Sequence, residues 1–428
     1  MTIRVDQLIR AIGTALDIIE SGMFGVRTNH GKRVAVLCAA MGRTLGMNES
    51  AVAALSTCAL FHDSALTEYM LYLTEQDGKA GLFLHCIYGQ RNVDLLPLPG
   101  DTDGVVLYHH ERADGTGAFG RREGNFPVGA ALIAAADTLD LNFPLQSVSG
   151  KYLEKLRAHI ASEAGKAFTR DAVEAALNVL DEDMLEQLRD EHIRETSEKL
   201  IPPWFAGMED TAAFRLAALA ARIIDYKSTF TRQHSMQIAN RAWLMAGYCN
   251  YTPEGRAQLY LAAALHDLGK LATPLHILEK PGALTTEEFD IIKDHARGTH
   301  ELLSTVGGMD DICRWASEHH EKLDGKGYPF GRGADDLDYN SRLLCCLDIY
   351  QGVCESRPYH PSRGHRETME ILLGMADKGL VDADIARDLD QCMGSWSERC
   401  LPPPPQAAEA VDAVLGGLPH PLPDQRAR

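Results

Sequence analysis

Apolar positions recur along this chain at the three- and four-residue spacing of amphipathic helices. After His30, Val34, Cys38 and Met41 fall at offsets of 4, 8 and 11, and after His234 the same offsets hold Ile238, Ala242 and Met245. Each histidine therefore starts the inner face of a helix. Runs with the period-two alternation of strands are scarce, so an all-α protein is expected. Thr285-Thr286-Glu287-Glu288 has the form of a capping box and predicts the start of a helix carrying His295. The preceding Lys280-Pro281-Gly282 reads as a turn.

Polar residues on these inner faces repeat as well. His234 is followed after 32 residues by His266-Asp267, then by His295, His319-His320 and Asp348. His30 is followed after the same 32 residues by His62-Asp63, then by His85, His109-His110 and Asp137. A lone His-Asp pair is ordinarily structural. Two ordered series in one chain predict two copies of a helical metal-binding domain. The first copy is expected at 1–150, a connector of charged surface helices at 151–204, the second copy at 205–400 and a Pro/Ala-rich tail at 401–428. The chain is six residues shorter between His62 and His85 than between His266 and His295, so the wall over the first site should differ.

Composition narrows the function. A net charge of −18 argues against a nucleic-acid backbone as partner, so an anionic substrate would need local positive charge. No apolar run approaches the ~18–20 residues of a membrane span. The N-terminal segment carries acids within its apolar pattern and reads as an amphipathic helix. Ten cysteines are scattered without a CxxC pair, which suits reduced thiols and a cytoplasmic location.

The ligand types point to chemistry. Adjacent His266 and Asp267 can reach different ions, because a carboxylate can bridge two metals and an imidazole binds one. Mixed His and Asp ligands suit Fe, Mn or Zn better than Ca or Mg. Two such ions can clamp a phosphoryl group and activate water.

HDLGK (266–270) and HHEKLDGKGYP (319–329) resemble the two signatures of the HD-GYP family, a branch of the HD phosphohydrolase superfamily. TPLHILEKPGALTTEEF between them and RLLCCLDIYQGVCESRPY (342–359) are similar to the family's connecting and closing segments. The resemblance covers about residues 225–375. It implies two tandem HD-type helical bundles, the second with the HD-GYP extension, and hydrolysis of cyclic dinucleotides, chiefly cyclic di-GMP to pGpG and GMP, by a hydroxide activated on the metals. It implies one ion, Fe or Mn, held by His234, His266, Asp267 and Asp348, and a second by Asp267, His295, His319 and His320. Asp267 and Lys270 would be catalytic. Lys270 would also contact phosphate, Arg357 would bind the phosphate away from the cut, and Gly325, Gly327, Tyr328 and Pro329 would form the substrate-side loop. Two positions depart from the family: Phe230 stands where some members carry a glutamate for a third metal, and Gln351 stands where many carry an acid.

The first copy keeps His30, His62, Asp63, His85, His109, His110 and Asp137 as a second candidate metal site, and HHERADGTG repeats the HHE pattern. Asp140 supplies the acid that Gln351 replaces. Leu66 stands in place of Lys270, Ala118-Phe119 in place of Tyr328-Pro329, and LNFP in place of the Arg-Pro-Tyr segment. This copy is expected to hold metal and to be weak or inactive, with a regulatory or interface role. The alternatives to cyclic di-GMP hydrolysis are hydrolysis of 3′,3′-cyclic GMP-AMP and a non-catalytic cyclic-dinucleotide sensor. Expected partners are the cyclic dinucleotide itself and a second copy of the chain or a GGDEF-type protein.

Overall fold

The computed structural model describes residues 3–24, 28–66, 78–147, 150–204, 208–225, 227–228, 233–355, 362–394 and 401–415. Within them the regular structure is helical; β-pairing is limited to two isolated bridges, Ala164 with Phe168 and Asp324 with Gly333. The same helix order occurs twice. Val5–Phe24, His30–Thr44, Glu49–Leu60, Gly78–Asp94 and Val128–Asn142 are matched by Asp210–Asp225, His234–Tyr248, Pro253–Leu265, Thr286–Leu303 and Tyr339–Cys354.

Local signals set the boundaries that aim the ligands. Asn48 and Thr252 cap the two helices that lead to the His-Asp pairs, through bonds to Ala51 N (2.9 Å) and Gly255 N (3.2 Å), and Pro253 occupies the first turn of the second helix. Thr285 and Glu288 form the reciprocal capping box expected from sequence. Val34, Cys38 and Met41 in one copy, and Ile238, Ala242 and Met245 in the other, are buried. The inner stripe thus holds each leading histidine against the core.

One expectation is corrected. Residues 151–204 are more than a charged surface connector. Leu156, Ile160, Val173 and Ala176 are buried, and Arg157 donates to the carbonyls of Leu177 and Leu180 (both 2.7 Å). Asp190 accepts from Arg33 Nη1 at 3.0 Å, beside His30. One apolar stripe on each of these short helices packs on the first copy, while their many charges occupy the outer faces. The described part of the Pro/Ala-rich tail is packed as well. Leu401 bonds through its backbone to Gln237 and Asn240, and Pro405–Leu415 lies on Asp210–Asp225 with Ala407 and Ala410 buried.

The copies meet through the first helix. Val5–Phe24 packs on the Leu268–Ala272 turn and the Thr286–Leu303 helix of the second copy. Arg4 N donates to Gly307 O (3.0 Å), and Gly307 N donates to Gln7 Oε1 (2.8 Å).

Candidate metal centres and substrate cavity

In the second copy the histidines are fixed from behind. His266 Nδ1 donates to Ala263 O and His319 Nδ1 to Ala316 O (2.7 Å each), and His295 Nδ1 pairs with Ile292 O in the same way. A carbonyl three residues back thus selects one tautomer and leaves the Nε2 lone pair facing inward. His234 differs, with Nδ1 2.9 Å from the Glu355 carboxylate.

The inward atoms converge. His234, His266 and Asp348 place ligand atoms within 4.8 Å of one another, as do His295, His319 and His320, and Asp267 joins the two groups through His266 and His319. His266 Nε2 and Asp267 Oδ1 are buried without hydrogen-bond partners, an arrangement that costs free energy unless a cation fills it. The donor set of imidazole nitrogens and carboxylates fits divalent transition metals.

Charge states agree with that fit. Burial opposes ionisation of Asp267, but His266 and Lys270 outweigh it and hold its carboxyl well below the usual range. Asp348 is held low against burial by its bond to His234 and by His320. Burial pushes His295 down to about 4, and burial with the neighbouring imidazoles also holds His319 and His320 well below the usual range. Neutral imidazoles at His295, His319 and His320 beside ionised Asp267 and Asp348 are protonation states that suit a metal.

The loop after His319-His320 is built on Glu321. Its Oε1 accepts from Phe330 N (2.6 Å) and Gly331 N (3.0 Å), and its Oε2 accepts from Arg332 N (3.0 Å). Gly327 passes so close to the backbone of Glu321 and Lys322 that a Cβ would collide with it. Arg297 Nη2 holds Pro329 O at 3.0 Å. Tyr328 is thereby laid against His320, with ring centroids 4.7 Å apart.

Beside these candidate ligands lies a cavity of about 390 Å³. Asp267, His295, His320 and Asp348 form its floor, Tyr328, Phe289 and Ile349 its apolar walls, and Lys227, Lys270 and Lys280 its positive side. Lys270 reaches the Asp267 carboxylate. Of the four loop residues, Tyr328 lines the cavity, whereas Gly325, Gly327 and Pro329 shape the loop behind it. Arg357 and Phe230 lie outside the described residues. Gln351 is not among the residues that line the cavity. Its amide is engaged between Arg241 and Glu355, at 2.7 and 2.6 Å.

Three contributors carried little sequence signal. Lys227 is 4% exposed, and its Nζ donates to the carbonyls of Lys270 (3.0 Å), Leu271 (2.6 Å) and Thr273 (2.6 Å). Burial lowers its pKa to about 7. It fastens the turn that presents Lys270. Thr299 Oγ1 accepts from Gly269 N (2.9 Å) and donates to His266 O (3.0 Å), stitching that turn to the His295 helix. Glu321 was visible in the repeated HHE, but nothing in the spacing revealed its task.

The first copy repeats the ligand geometry. His62 Nδ1 bonds Ala59 O at 2.7 Å, His109 Nδ1 pairs with Val106 O, and His30 Nδ1 meets the Asp140 carboxylate at 2.7 Å. His85, His109 and His110 form one group, and His30, His62 and Asp63 another. Asp137 lies 3.3 Å from His30 Nε2. The Nε2 atoms of His62 and His109 are buried without hydrogen-bond partners. Burial opposes a proton on His62, but Asp63 and Asp137 outweigh it and raise its pKa to about 9.

The loops, by contrast, align differently than the sequence suggested. Glu111 holds the backbone N–H groups of Phe119 and Arg121, as Glu321 holds those of Phe330 and Arg332. Phe119 therefore corresponds to Phe330, Ala118 to Tyr328, and Pro329 has no counterpart. Phe119 packs on Phe83 and Tyr108, with centroids at 4.6 and 5.4 Å. Residues 67–77, between Leu66 and the His85 helix in sequence, lie outside the described residues.

Comparison with known proteins matches these observations. An HD domain model matches residues 218–385, within the second copy. A 3′3′-cGAMP-specific phosphodiesterase of Vibrio cholerae is 30% identical over 83% of this chain and 85% of its own length. A cyclic di-GMP phosphodiesterase response regulator of Xanthomonas campestris is 34% identical over 32% of this chain and 37% of its own. The solved structure of a cyclic GMP-AMP specific phosphodiesterase of V. cholerae superposes with a TM-score of 0.63 at 19% identity. It covers 94% of this chain and 100% of that one, a likeness of fold. No helix among the described residues is long and apolar enough to cross a membrane. With its ordered ligands, its loop and a relative that matches across most of both chains, the chain belongs to the HD-GYP family of HD-domain phosphodiesterases.

Proposed function

We propose that the second copy hydrolyses a cyclic dinucleotide at a two-metal centre, with 3′,3′-cyclic GMP-AMP as the first substrate to test and cyclic di-GMP as the second. One observation carries the reading. The converging ligands His295, His320, Asp267 and Asp348 form the floor of the same cavity that three lysines and an apolar wall enclose. Such a cavity suits an anion bearing flat rings. The preference for the hybrid dinucleotide rests on the relative of that specificity, which matches along most of the chain. The shorter match to a cyclic di-GMP phosphodiesterase keeps that ligand second.

His234, His266, Asp267 and Asp348 would hold one ion, Fe or Mn, and Asp267, His295, His319 and His320 the other. When bound, two such ions would activate water and neutralise the phosphoryl oxygens. Lys270, poised at the Asp267 carboxylate, adds positive charge where the phosphoryl group must lie. Lys227 keeps the Lys270 backbone in place, and Tyr328 closes one wall and limits water. The first copy keeps a ligand set but carries Leu66 and Ala118 at these positions, which supports a regulatory role rather than turnover.

The test is anaerobic incubation with Mn(II) or Fe(II) and each dinucleotide, followed by chromatography. A linear dinucleotide, absent with Asp267→Asn, is expected. Metal-loaded protein that binds both ligands tightly without turnover would instead make the chain a sensor.

A further inference from the structure

The departure at Gln351 has a structural counterpart one helical turn away. In the first copy, Asp140 accepts from His30 Nδ1 (2.7 Å) and from Arg33 Nε (2.6 Å). In the second copy the acid is Gln351, yet a carboxylate still backs the leading histidine, because Glu355 Oε2 lies 2.9 Å from His234 Nδ1. Gln351 Nε2 donates to Glu355 Oε1 at 2.6 Å, and Arg241 Nε donates to Gln351 Oε1 at 2.7 Å. Both members of the acid–arginine pair have therefore moved along their helices. The acid stands four residues after the Asp140-equivalent position. The arginine lies seven residues after His234, where Arg33 lies three after His30. Gln351 and Arg241 are each 2% exposed, so the array is buried on that side, while the Glu355 side chain keeps 18% of its surface open.

We infer that Glu355, held by Gln351 and Arg241, is the positioning residue that orients His234 for metal and replaces the carboxylate that Gln351 lacks. A carboxylate on Nδ1 fixes the ring, places the lone pair on Nε2 and raises the basicity of that nitrogen. Nε2 is the atom that faces Asp348, at 3.3 Å. The amide of Gln351 cannot accept from the arginine and back the imidazole as a carboxylate does, but it can carry the arginine's grip to Glu355. This inference rests on the metal-binding reading of the second copy.

The test is Mn(II) binding to the full chain by titration calorimetry, without substrate, in an Asp63→Asn background that weakens the first copy's site. Glu355→Ala should weaken affinity between about tenfold and a hundredfold. Adding Gln351→Asp to Glu355→Ala returns a carboxylate to the position that Asp140 occupies in the first copy, and should recover most of the loss. Undiminished affinity in Glu355→Ala overturns the inference. So does a loss that Gln351→Asp leaves unrepaired while metal-free circular dichroism matches the parent. If the parent itself binds no Mn(II), or His266→Ala leaves its affinity unchanged, the metal-binding reading falls and this inference with it.

Discussion

The two copies share a candidate metal-ligand geometry and the backbone that orients it, and differ in side chains around it. In both, a helix delivers a His-Asp pair, a carbonyl three residues back orients the histidine, and a glutamate after His-His holds the following loop. The surroundings diverge in matched sets. Gly269 lies so close to the His295 carbonyl that a Cβ would collide, and Thr299 bonds its N–H; in the first copy Ala65 carries the Cβ and Gly89 stands in the threonine's place. Lys270 becomes Leu66, Tyr328 becomes Ala118, and the acid and arginine behind the leading histidine occupy different turns. Ligand placement is thus a property of the backbone and survives these exchanges. Chemistry on a phosphate ester depends on the side chains around such a site, and Leu66 and Ala118 offer neither a charge nor a ring there.

The difference can be broken at its strongest point first. Asp267→Asn should abolish hydrolysis and remove metal from the second copy, whereas Asp63→Asn should keep turnover; product chromatography and metal analysis read both. Lys270→Leu gives the second copy the first copy's residue. It should lower kcat by roughly 10²–10³ at unchanged metal content, as loss of a charge-stabilising donor does. Glu321→Ala leaves the N–H groups of Phe330, Gly331 and Arg332 without their carboxylate and should cost about 1–3 kcal/mol, seen in chemical denaturation, along with a raised KM as Tyr328 loosens. Glu111→Ala should cost similar stability and leave KM alone. The smallest effect is expected for Thr299→Val, which unpairs Gly269 N and the His266 carbonyl. A loss of about 1–2 kcal/mol, with a smaller fall in kcat from a loosened Lys270 turn, would sharpen the link between that turn and the His295 helix.

Much of this was legible in the sequence, for physical reasons that identify what was not. Helical periodicity located His30 and His234 because a buried stripe must recur every three or four residues. The capping box located the His295 helix because its reciprocal bonds are local. The connector reads as surface because its composition is charged. A helix of ten residues needs only two or three apolar positions to dock, as Leu156 and Ile160 do. The loop alignment failed because a one-residue difference is invisible until the backbone partners of Glu111 and Glu321 are seen. Lys227 was beyond reach, since a lysine bonded to three carbonyls leaves no motif, and Glu355 because the function of an acid had moved one turn along its helix.

The most direct measurement is turnover of cyclic GMP-AMP and cyclic di-GMP by the metal-loaded full chain, with Asp267→Asn and Asp63→Asn in parallel. The account predicts a linear dinucleotide from the parent and from Asp63→Asn, faster from the hybrid substrate, and none from Asp267→Asn. Equal product from Asp267→Asn, or loss of product in Asp63→Asn alone, would contradict the placement of catalysis in the second copy.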